Sequence, residues 1–323
     1  MRRAVVFGGA GFIGTHLLTE LGRSGAYDLL VSADIAEPER AVEGVSYRRI
    51  DVRDKIPADL CPGVDEVYNL AAVHRTPGHD THEYYETNVT GAVNICAYAA
   101  QAGAGRLLFT SSIAVYGPEE TAKSEATEPT PKSAYGWSKL LGERVHQRWQ
   151  EADPARQLVI VRPAVIFGTG EKGNFTRLAG ALKKGMFFFP GRKDTVKACG
   201  YVGELVRSMD FMLSRNEPFT LYNFCYPTPY TIEQICDSFG RVGGLPRPRG
   251  TVPLALLNLA SLPFELLDAL GVRNGINRER IRKLVVSTNI VPQTLVDVGY
   301  RYETDLDKAI AEWKAAAPQG RFS

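Results

Sequence analysis

The stretch Ala4-Val-Val-Phe7-Gly8-Gly9-Ala10-Gly11-Phe12-Ile13-Gly14 stands near the start of the chain and determines how its first half folds. Four apolar residues predict a buried strand, and the amphipathic run after the glycines predicts a helix. Glycines between a strand and a helix permit a tight turn and let backbone N–H groups approach a pyrophosphate at the helix N-terminus. We therefore predict dinucleotide binding here, in preference to a plain glycine turn.

Acidic and small residues at the ends of the next strands extend this prediction. Asp34 follows the glycines by about 20 residues, where a carboxylate can accept hydrogen bonds from both adenosine ribose hydroxyls and would repel a 2′-phosphate. This favours NAD over NADP, against the alternative of a simple loop aspartate. Asp51-Val52 could receive the adenine amino group. Leu70-Ala71-Ala72 would let the cofactor pass close to the backbone, or only serve sheet packing. Asn88 could be merely a helix N-cap.

Short apolar runs alternate with amphipathic stretches up to about residue 165. Continuous apolar strands separated by helices imply a parallel sheet covered on both faces, which is the doubly wound α/β fold of Rossmann type. We predict a dinucleotide-binding domain over residues 1–165, with returning segments near 195–225. Residues 166–323 would form mainly a smaller α/β substrate-binding region, with helices at Phe175–Lys184 and Val202–Leu213 bracketing a small hairpin. Thr231 and Asp305 are expected to cap helices.

The third feature is Tyr135-Gly136-Trp137-Ser138-Lys139, with Ser112 upstream at the end of the fifth strand. Tyrosine and lysine four residues apart lie on one face of a helix. An ammonium near a phenol favours the phenolate and would lower the tyrosine pKa from about 10. A serine at the carboxyl edge of the sheet can bond a substrate oxygen beside that phenol, although it could also only satisfy loop backbone.

Together these motifs resemble the extended short-chain dehydrogenases/reductases, in particular the NAD-dependent nucleotide-sugar epimerases and dehydratases. The resemblance implies that Ser112 and Tyr135 meet the sugar hydroxyl, while Lys139 bonds the nicotinamide ribose. It also implies a set of residues around NAD. These are Gly8, Gly11, Phe12, Ile13, Gly14, Asp34, Asp51, Val52, Leu70, Ala71, Ala72, Asn88, Ser111, Tyr135, Lys139 and Pro163.

On the substrate side, the resemblance suggests that Asn174 holds the diphosphate of a nucleotide-diphosphate sugar. Lys197 stands where many relatives carry a phosphate-binding arginine, and a lysine keeps the charge without the bidentate fork. His74 and Arg75 follow the fourth strand and could contact the diphosphate or a sugar substituent, or be solvated loop residues. The five histidines show no metal-binding spacing, so we expect no metal.

Departures from the family pattern reduce the number of reactions that we expect this chain to catalyse. Sugar 4,6-dehydratases resemble this chain but carry an Asp-Glu pair where it has Ile113 and Ala114, which cannot transfer protons. Decarboxylating relatives keep a glutamate there, so dehydration and decarboxylation are both disfavoured. Val165 replaces an asparagine of UDP-galactose 4-epimerase, which argues against a close copy of that pocket. We expect an NAD-dependent epimerase acting at C4 of the sugar. A 4-ketoreductase of surface-polysaccharide biosynthesis is the main alternative, and a non-catalytic NAD-binding protein is a remote one.

Composition bounds the remaining properties of this 323-residue chain. With 44% hydrophobic and 23% charged residues and a formal net charge of +2, it reads as a soluble globular protein without a nucleic-acid footprint. The scattered cysteines, odd in number, indicate reduced thiols and a cytoplasmic location. Val252 to Gly271 is too polar for a spanning helix, and we favour a packed helix pair over a membrane-surface contact. The resemblance implies a homodimer, in which the stripe Val89, Val93, Ala97 and Ala100 would join a helix bundle or only pack on the sheet.

Overall fold

A computed structural model describes residues 2–75, 78–257, 259, 285–317 and 322. The elements up to residue 123 are β1 (Arg2–Phe7), α1 (Phe12–Arg23), β2 (Tyr27–Asp34), β3 (Val45–Arg49), β4 (Glu66–Asn69), α2 (Thr81–Tyr85), a π-helical turn (Glu86–Thr90), α3 (Gly91–Ala102), β5 (Arg106–Thr110), a 3₁₀ turn (Ile113–Val115) and β6 (Glu119–Lys123). The elements that follow are α4 (Ala134–Glu151), β7 (Gln157–Pro163), β8 (Val165–Phe167), α5 (Asn174–Lys183), β9 (Phe189–Pro190), β10 (Cys199–Tyr201), α6 (Val202–Ser214), β11 (Phe219–Phe224), α7 (Ile232–Arg241), β12 (Thr251–Val252), β13 (Thr288–Ile290), α8 (Gln293–Asp297) and α9 (Leu306–Ala316).

The main sheet has seven parallel strands in the order β3-β2-β1-β4-β5-β7-β11. The chain winds outward from β1 in one direction through β2 and β3, then in the other through β4 and the later strands. The strand order therefore reverses between β1 and β4, and a doubly wound sheet binds its ligand at the carboxyl ends of the strands beside that point. The predicted Rossmann-type sheet is confirmed.

Apolar side chains on both faces explain why these runs form buried strands. In β1, Val5 and Phe7 pack into the cluster under α3 and α4, whereas Ala4 and Val6 pack into the cluster under α1 and α6. Strand side chains alternate between faces, so a strand with helices on both sides needs an unbroken apolar run. The sheet is therefore covered on both faces, as predicted.

A third cluster lies among α5, α7 and α9, where Phe175, Phe239 and Trp313 are buried. The capping predictions are confirmed: the Thr231 hydroxyl accepts from Gln234 N at 3.2 Å, and Asp305 Oδ1 accepts from Lys308 N at 2.8 Å. The strand β11 returns to the edge of the main sheet beside β7. The division into domains at residue 165 stays a prediction.

The small hairpin predicted between α5 and α6 is wrong. β9 pairs in parallel with β12, and β10 pairs in parallel with β8, so the two strands in this stretch pair with partners distant in sequence. Short strands that contain proline and glycine are weak signals, because their partners are decided by tertiary packing.

The helix pair expected within Val252–Gly271 lies mostly outside the described residues, which end at Leu257 and Leu259 in this stretch. Among the helices that are described, none has both the length and the apolar character needed to cross a bilayer. All five cysteines are buried as free thiols.

Candidate active site

The glycine turn between β1 and α1 packs against the backbone that leaves β4. Gly8 has a φ of +79°, and a β-carbon there would lie 2.7 Å from the Ala71 nitrogen and 2.7 Å from the Leu70 carbonyl carbon. A β-carbon on Gly14 would lie 2.3 Å from the Gly8 carbonyl oxygen. Glycine is therefore required for a turn this tight. Gly11 is the N-cap of α1, and it has no side chain to occupy the first N–H groups of the helix.

Asp34 joins this turn to the end of β2. Its Oδ2 accepts from the Ala10 N–H at 3.1 Å, and its Oδ1 accepts from the Ala36 N–H at 3.0 Å. Arg49 of β3 lies opposite Asp34 in the sheet register, and Arg48 and Arg49 line the cleft beside the carboxylate. No basic residue follows Asp34 directly in sequence, but the neighbouring strand brings two arginines to this cleft.

Asp51 and Val52 follow β3 at the same edge. Arg53 holds the Asp51 carboxylate in a fork, with Nε–Oδ1 and Nη2–Oδ2 distances of 3.0 and 2.6 Å. This hydrogen bonding lowers the pKa of Asp51, so the carboxylate stays ionised. The Val52 carbonyl accepts from Asn94 Nδ2 at 2.9 Å. The adenine contact proposed for this pair stays a prediction.

Asn88 is not a helix N-cap, because it lies inside the π-helical turn between α2 and α3. Its buried amide accepts from the Val73 N–H at 2.9 Å and donates to the Val73 carbonyl at 3.0 Å and to Ser138 Oγ at 2.8 Å. The helical stretch from Thr81 to Ala102 is thus interrupted by a wider turn, a feature frequent near functional sites. These bonds connect the segment after β4 to α4. Both N–H groups of the Asn88 amide are used in them, so the side chain has no free donor for the predicted contact with NAD.

Ser112 and Tyr135 are brought together at the carboxyl edge of the sheet. Ser112 caps the 3₁₀ turn that follows β5, where its Oγ accepts from the Ala114 N–H at 3.1 Å. Tyr135 lies in the first turn of α4, whose N-cap is Ser133. The Ser112 side chain lies close enough to Tyr135 to act on the pKa of its phenol. The serine therefore serves both the loop backbone and the predicted catalytic phenol.

The electrostatics of Tyr135 differ from the prediction. Burial raises its pKa above the ordinary value, while the nearby Ser112 hydroxyl acts in the opposite direction. Lys139 Nζ instead donates to the Thr110 carbonyl at 2.8 Å and lies 4.9 Å from the centroid of the Phe109 ring. The expected lowering of the tyrosine pKa by Lys139 is not found, because strand-end groups hold the ammonium. Burial also lowers the pKa of Lys139 to about 7.

A buried ionic network under the site was missed by sequence reasoning. Glu143 and Arg162 pair through Nε–Oε1 and Nη2–Oε2 distances of 2.8 and 2.6 Å, with both side chains almost fully buried. Arg162 also donates to the Tyr116 hydroxyl at 2.6 Å. The Ser111 hydroxyl donates to Glu143, so this side chain points into the network and not toward the predicted cofactor. The sequence feature that could have indicated this network is the arginine at the end of the otherwise apolar run Leu158–Arg162.

The comparisons with known proteins agree with this geometry. A model described as the NAD dependent epimerase/dehydratase family matches residues 4–225. The chain belongs to this family. It is 30% identical to the N-acetyl-α-D-glucosaminyl-diphospho-ditrans,octacis-undecaprenol 4-epimerase of Escherichia coli O157:H7, over 88% of this chain and 86% of that protein. A UDP-glucose 4-epimerase of Neisseria meningitidis serogroup C is 30% identical over 54% of this chain and 56% of its own length.

Solved structures support the fold of this family member. MoeE5 in complex with UDP-glucose and NAD superposes with a TM-score of 0.74 at 23% identity, covering 96% of this chain and 97% of that chain. Bordetella bronchiseptica WbmG in complex with NAD and UDP gives a TM-score of 0.74 at 22% identity, over 97% of this chain and 94% of its own.

NAD is the cofactor of this epimerase/dehydratase family enzyme, and the residues present fit it. The turn at Gly8 and Gly14 has no room for side chains, the N-terminus of α1 is open, and the Asp34 carboxylate stands at the end of β2. An open helix N-terminus attracts a pyrophosphate, and the carboxylate can accept from ribose hydroxyls. Other predicted cofactor residues lie at the same edge, and their contacts with NAD stay predictions. They are Phe12 and Ile13 in α1, Ala72 after β4, and Pro163 at the end of β7.

The predicted substrate residues lie on separate segments. His74 follows β4, and its pKa is lowered mainly by lost solvation and also by the nearby charge of Lys139. Arg75 is exposed, and its carbonyl accepts from the Tyr84 hydroxyl. Asn174 is the exposed first residue of α5. Lys197 Nζ donates to the Val286 carbonyl at 2.8 Å, and burial lowers its pKa to about 8. The charge of Lys139 thus acts on His74, and the predicted substrate contacts of all four residues stay predictions.

Proposed function

We propose that this enzyme is an NAD-dependent epimerase that inverts C4 of a nucleotide-diphosphate sugar through a transient 4-keto sugar. The observation that carries the proposal is the approach of the Ser112 side chain to the Tyr135 phenol at the carboxyl edge of the sheet. The Escherichia coli and Neisseria relatives are both named as 4-epimerases, which supports inversion at C4.

The phenol of Tyr135 is the group that exchanges a proton with the C4 hydroxyl. NAD, held at the turn from Gly8 to Gly14 and by Asp34, would supply reversible hydride transfer at the sugar carbon. The Ser112 hydroxyl favours the phenolate, against the burial that raises its pKa. Lys139 is a buried amine with a pKa of about 7, so it can change its charge near neutral pH. These residues supply acid–base chemistry for a reversible oxidation.

Loss of water is disfavoured by the turn beside this pair. Ile113 and Ala114 form the 3₁₀ turn that follows Ser112, and neither side chain can donate or accept a proton. An elimination needs an acid and a base next to the reacting carbon. The site therefore supports oxidation and reduction at one carbon without dehydration.

A tyrosine substitution tests the proposed role directly. Tyr135→Phe removes the proton-exchanging hydroxyl and should lower kcat by about 10²–10⁴-fold. Tyr85→Phe, in the neighbouring α2, is the matched control and should keep its activity. NAD binding, measured by calorimetry, should persist in both variants. Normal turnover by Tyr135→Phe would refute the assignment.

The product balance separates epimerisation from reduction. An epimerase converts UDP-glucose or UDP-N-acetylglucosamine to its C4 epimer with no net change in nicotinamide absorbance, and NMR identifies the axial product. A 4-ketoreductase would consume NADH in proportion to a keto sugar. NAD bound to a protein that converts no sugar tested would indicate a non-catalytic binding protein.

A sugar on a lipid diphosphate is a second candidate substrate. The Escherichia coli relative is named for an undecaprenol-linked N-acetylglucosamine, and the match covers 88% of this chain. Nucleotide sugars and lipid-linked sugars share a diphosphate next to the sugar, so Asn174 and Lys197 could serve either. Parallel assays with UDP-N-acetylglucosamine and diphospho-undecaprenol-linked N-acetylglucosamine distinguish the two by relative kcat/KM.

We further propose a homodimer formed through α3 and α4. Val93, Trp137 and Leu141 are 49%, 48% and 41% exposed, and Ala97 is exposed on the same face of α3 as Val93. The stripe on α3 therefore does not pack on its own sheet, and two such helix pairs could form a four-helix contact around a two-fold axis. Light scattering should give twice the chain mass, and Leu141→Lys should give the monomer. Val296→Lys, a change at an exposed apolar residue of α8, is the control.

The buried free thiols fit a reducing compartment, and we propose a cytoplasmic location. Fractionation of the native host would test this, and recovery from an oxidising compartment would contradict it.

A further inference from the structure

Two segments of the C-terminal region, joined by one short strand pair, expose apolar side chains. Met186 and Phe188, between α5 and β9, are 61% and 43% exposed, and Leu254 and Leu256, after β12, are 38% and 56% exposed. We call these four residues the apolar tip. Isolated exposed apolar residues are ordinary, but a group of large ones marks a surface for binding.

Backbone contacts hold the two segments together. Phe189 and Pro190 of β9 pair with Thr251 and Val252 of β12 in a parallel register. A β-carbon on Gly191 would lie 3.5 Å from the Leu254 side chain, which places the start of the second segment against the end of the first. Because this pairing is parallel, Met186 and Phe188 lie before it, and Leu254 and Leu256 lie beyond its other end. The apolar tip thus consists of exposed side chains at both ends of one short strand pair.

Positive charge lies at the end of the strand pair that carries Met186 and Phe188. Lys183 and Lys184 precede Met186 at the end of α5, while Arg247 and Arg249 precede β12, and all four are exposed. The Arg249 N–H donates to the Phe187 carbonyl at 3.2 Å, so this arginine stands beside the first segment. Residues 172–193 and 241–257 contain basic residues and no acidic ones.

We propose that the apolar tip and these four basic residues bind the surface of an anionic lipid bilayer. Large apolar side chains enter the boundary between headgroups and acyl chains, while lysine and arginine around them meet anionic headgroups. A second copy of this chain fits the surface less well. A two-fold contact through the same patch would bring the four positive charges close to their own copies.

This placement matters for the lipid-linked substrate, a consequence that rests on the proposed function. The helix α5 runs from Asn174, at the predicted diphosphate position, to Lys183 beside the apolar tip. Its 10 residues span about 15 Å. A docked enzyme would hold its predicted diphosphate position within about one helix length of the residues that meet the lipid surface.

Vesicle flotation with the full chain tests the binding without any assay of catalysis. The protein should float with vesicles of phosphatidylcholine and phosphatidylglycerol and remain unbound with phosphatidylcholine alone. Each basic residue changed to alanine should weaken binding by about fivefold, and higher salt should weaken it for the wild type. Phe188→Asp with Leu256→Asp should abolish flotation.

Val296→Asp, at an exposed apolar residue of α8, is the matched control and should float like the wild type. Unfolding midpoints equal to that of the wild type show that the variants are folded. No flotation of the wild type with anionic vesicles, or unchanged flotation of the tip variant, would overturn the proposal. A fall in particle mass when the tip is changed would identify a contact between copies instead. Epimerase activity toward a soluble nucleotide sugar is measured separately. A failure of the membrane-binding proposal can therefore be distinguished from a failure of the proposed function.

Discussion

A β-carbon on Gly136 would lie 2.5 Å from the carbonyl oxygen of Ala114. The first turn of α4 therefore touches the backbone of the 3₁₀ turn that carries Ser112. Tyr135 is the neighbour of Gly136 in that helix turn, and this close approach allows its hydroxyl to meet Ser112. The glycine of the Tyr135–Lys139 motif thus positions the proposed catalytic pair, Ser112 and Tyr135.

Gly136→Ala should separate these two elements and weaken catalysis. A shift of about 1 Å between reacting groups can cost about 100-fold in rate, so we expect kcat to fall by that order while NAD binding changes little. Steady-state kinetics and calorimetry measure the two effects. Gly180→Ala is the matched control, because a β-carbon there meets no described atom within 4 Å. Equal kcat values for both variants would contradict this role.

Gly14→Ala should remove NAD binding. Its β-carbon would lie 2.3 Å from the Gly8 carbonyl oxygen and 2.7 Å from the Gly9 Cα, so the turn must open. We expect NAD affinity to fall by about 100-fold or more, equivalent to about 3 kcal/mol. Gly22→Ala, on the same helix, should bind NAD normally, because the nearest atoms to its β-carbon are 4.0 Å away. Similar affinities for the two variants would show that the turn does not hold the cofactor.

Glu143→Gln should destabilise the fold strongly. The change leaves the Arg162 guanidinium buried without its counter-charge, and breaking such a pair costs about 3–5 kcal/mol. Urea unfolding measures the free energy of unfolding. Glu151→Gln is the control on the same helix. Its ion pair with Arg148 has side-chain exposures of 84% for Arg148 and 55% for Glu151, so its loss should cost at most about 1 kcal/mol. Equal losses of unfolding free energy in the two variants would mean that the buried ion pair stabilises the fold no more than the exposed one.

Lys139 should make the free energy of unfolding depend on pH. Burial lowers its folded-state pKa to about 7, below the unfolded value of about 10.4, so between these values the unfolded chain binds more protons. The contribution of Lys139 to stability must therefore rise with pH across this window, approaching about 1.4 kcal/mol per pH unit. Urea unfolding measures the free energy of unfolding of the wild type and of Lys139→Met at several pH values. The difference between the two proteins gives the contribution of Lys139, because the other titrating groups contribute equally to both. Parallel curves would show that Lys139 is charged in the folded state.

The site was only partly visible in the sequence, and the reason is the range of the interactions. The glycine turn, Asp34 and the tyrosine–lysine pair are local patterns whose spacing already predicts a strand end or a helix face. The amide of Asn88 instead finds Val73 and Ser138, which lie 15 and 50 residues away in sequence. Lys139 likewise bonds to Thr110, 29 residues earlier, and this contact decides the direction of its ammonium. The spacing of residues along the sequence does not predict such distant partners.

The sequence by itself determined the alternation of strands and helices, the tight glycine turn between β1 and α1, and the helix that carries both Tyr135 and Lys139. These follow from backbone sterics and from apolar periodicity, which act over a few residues. Only the tertiary structure decided that Ser111 turns to Glu143, that Arg48 and Arg49 reach the cleft of Asp34, and that the pKa of Tyr135 is raised. These depend on burial and on which distant segments meet, because solvation and charge contacts are properties of the packed chain.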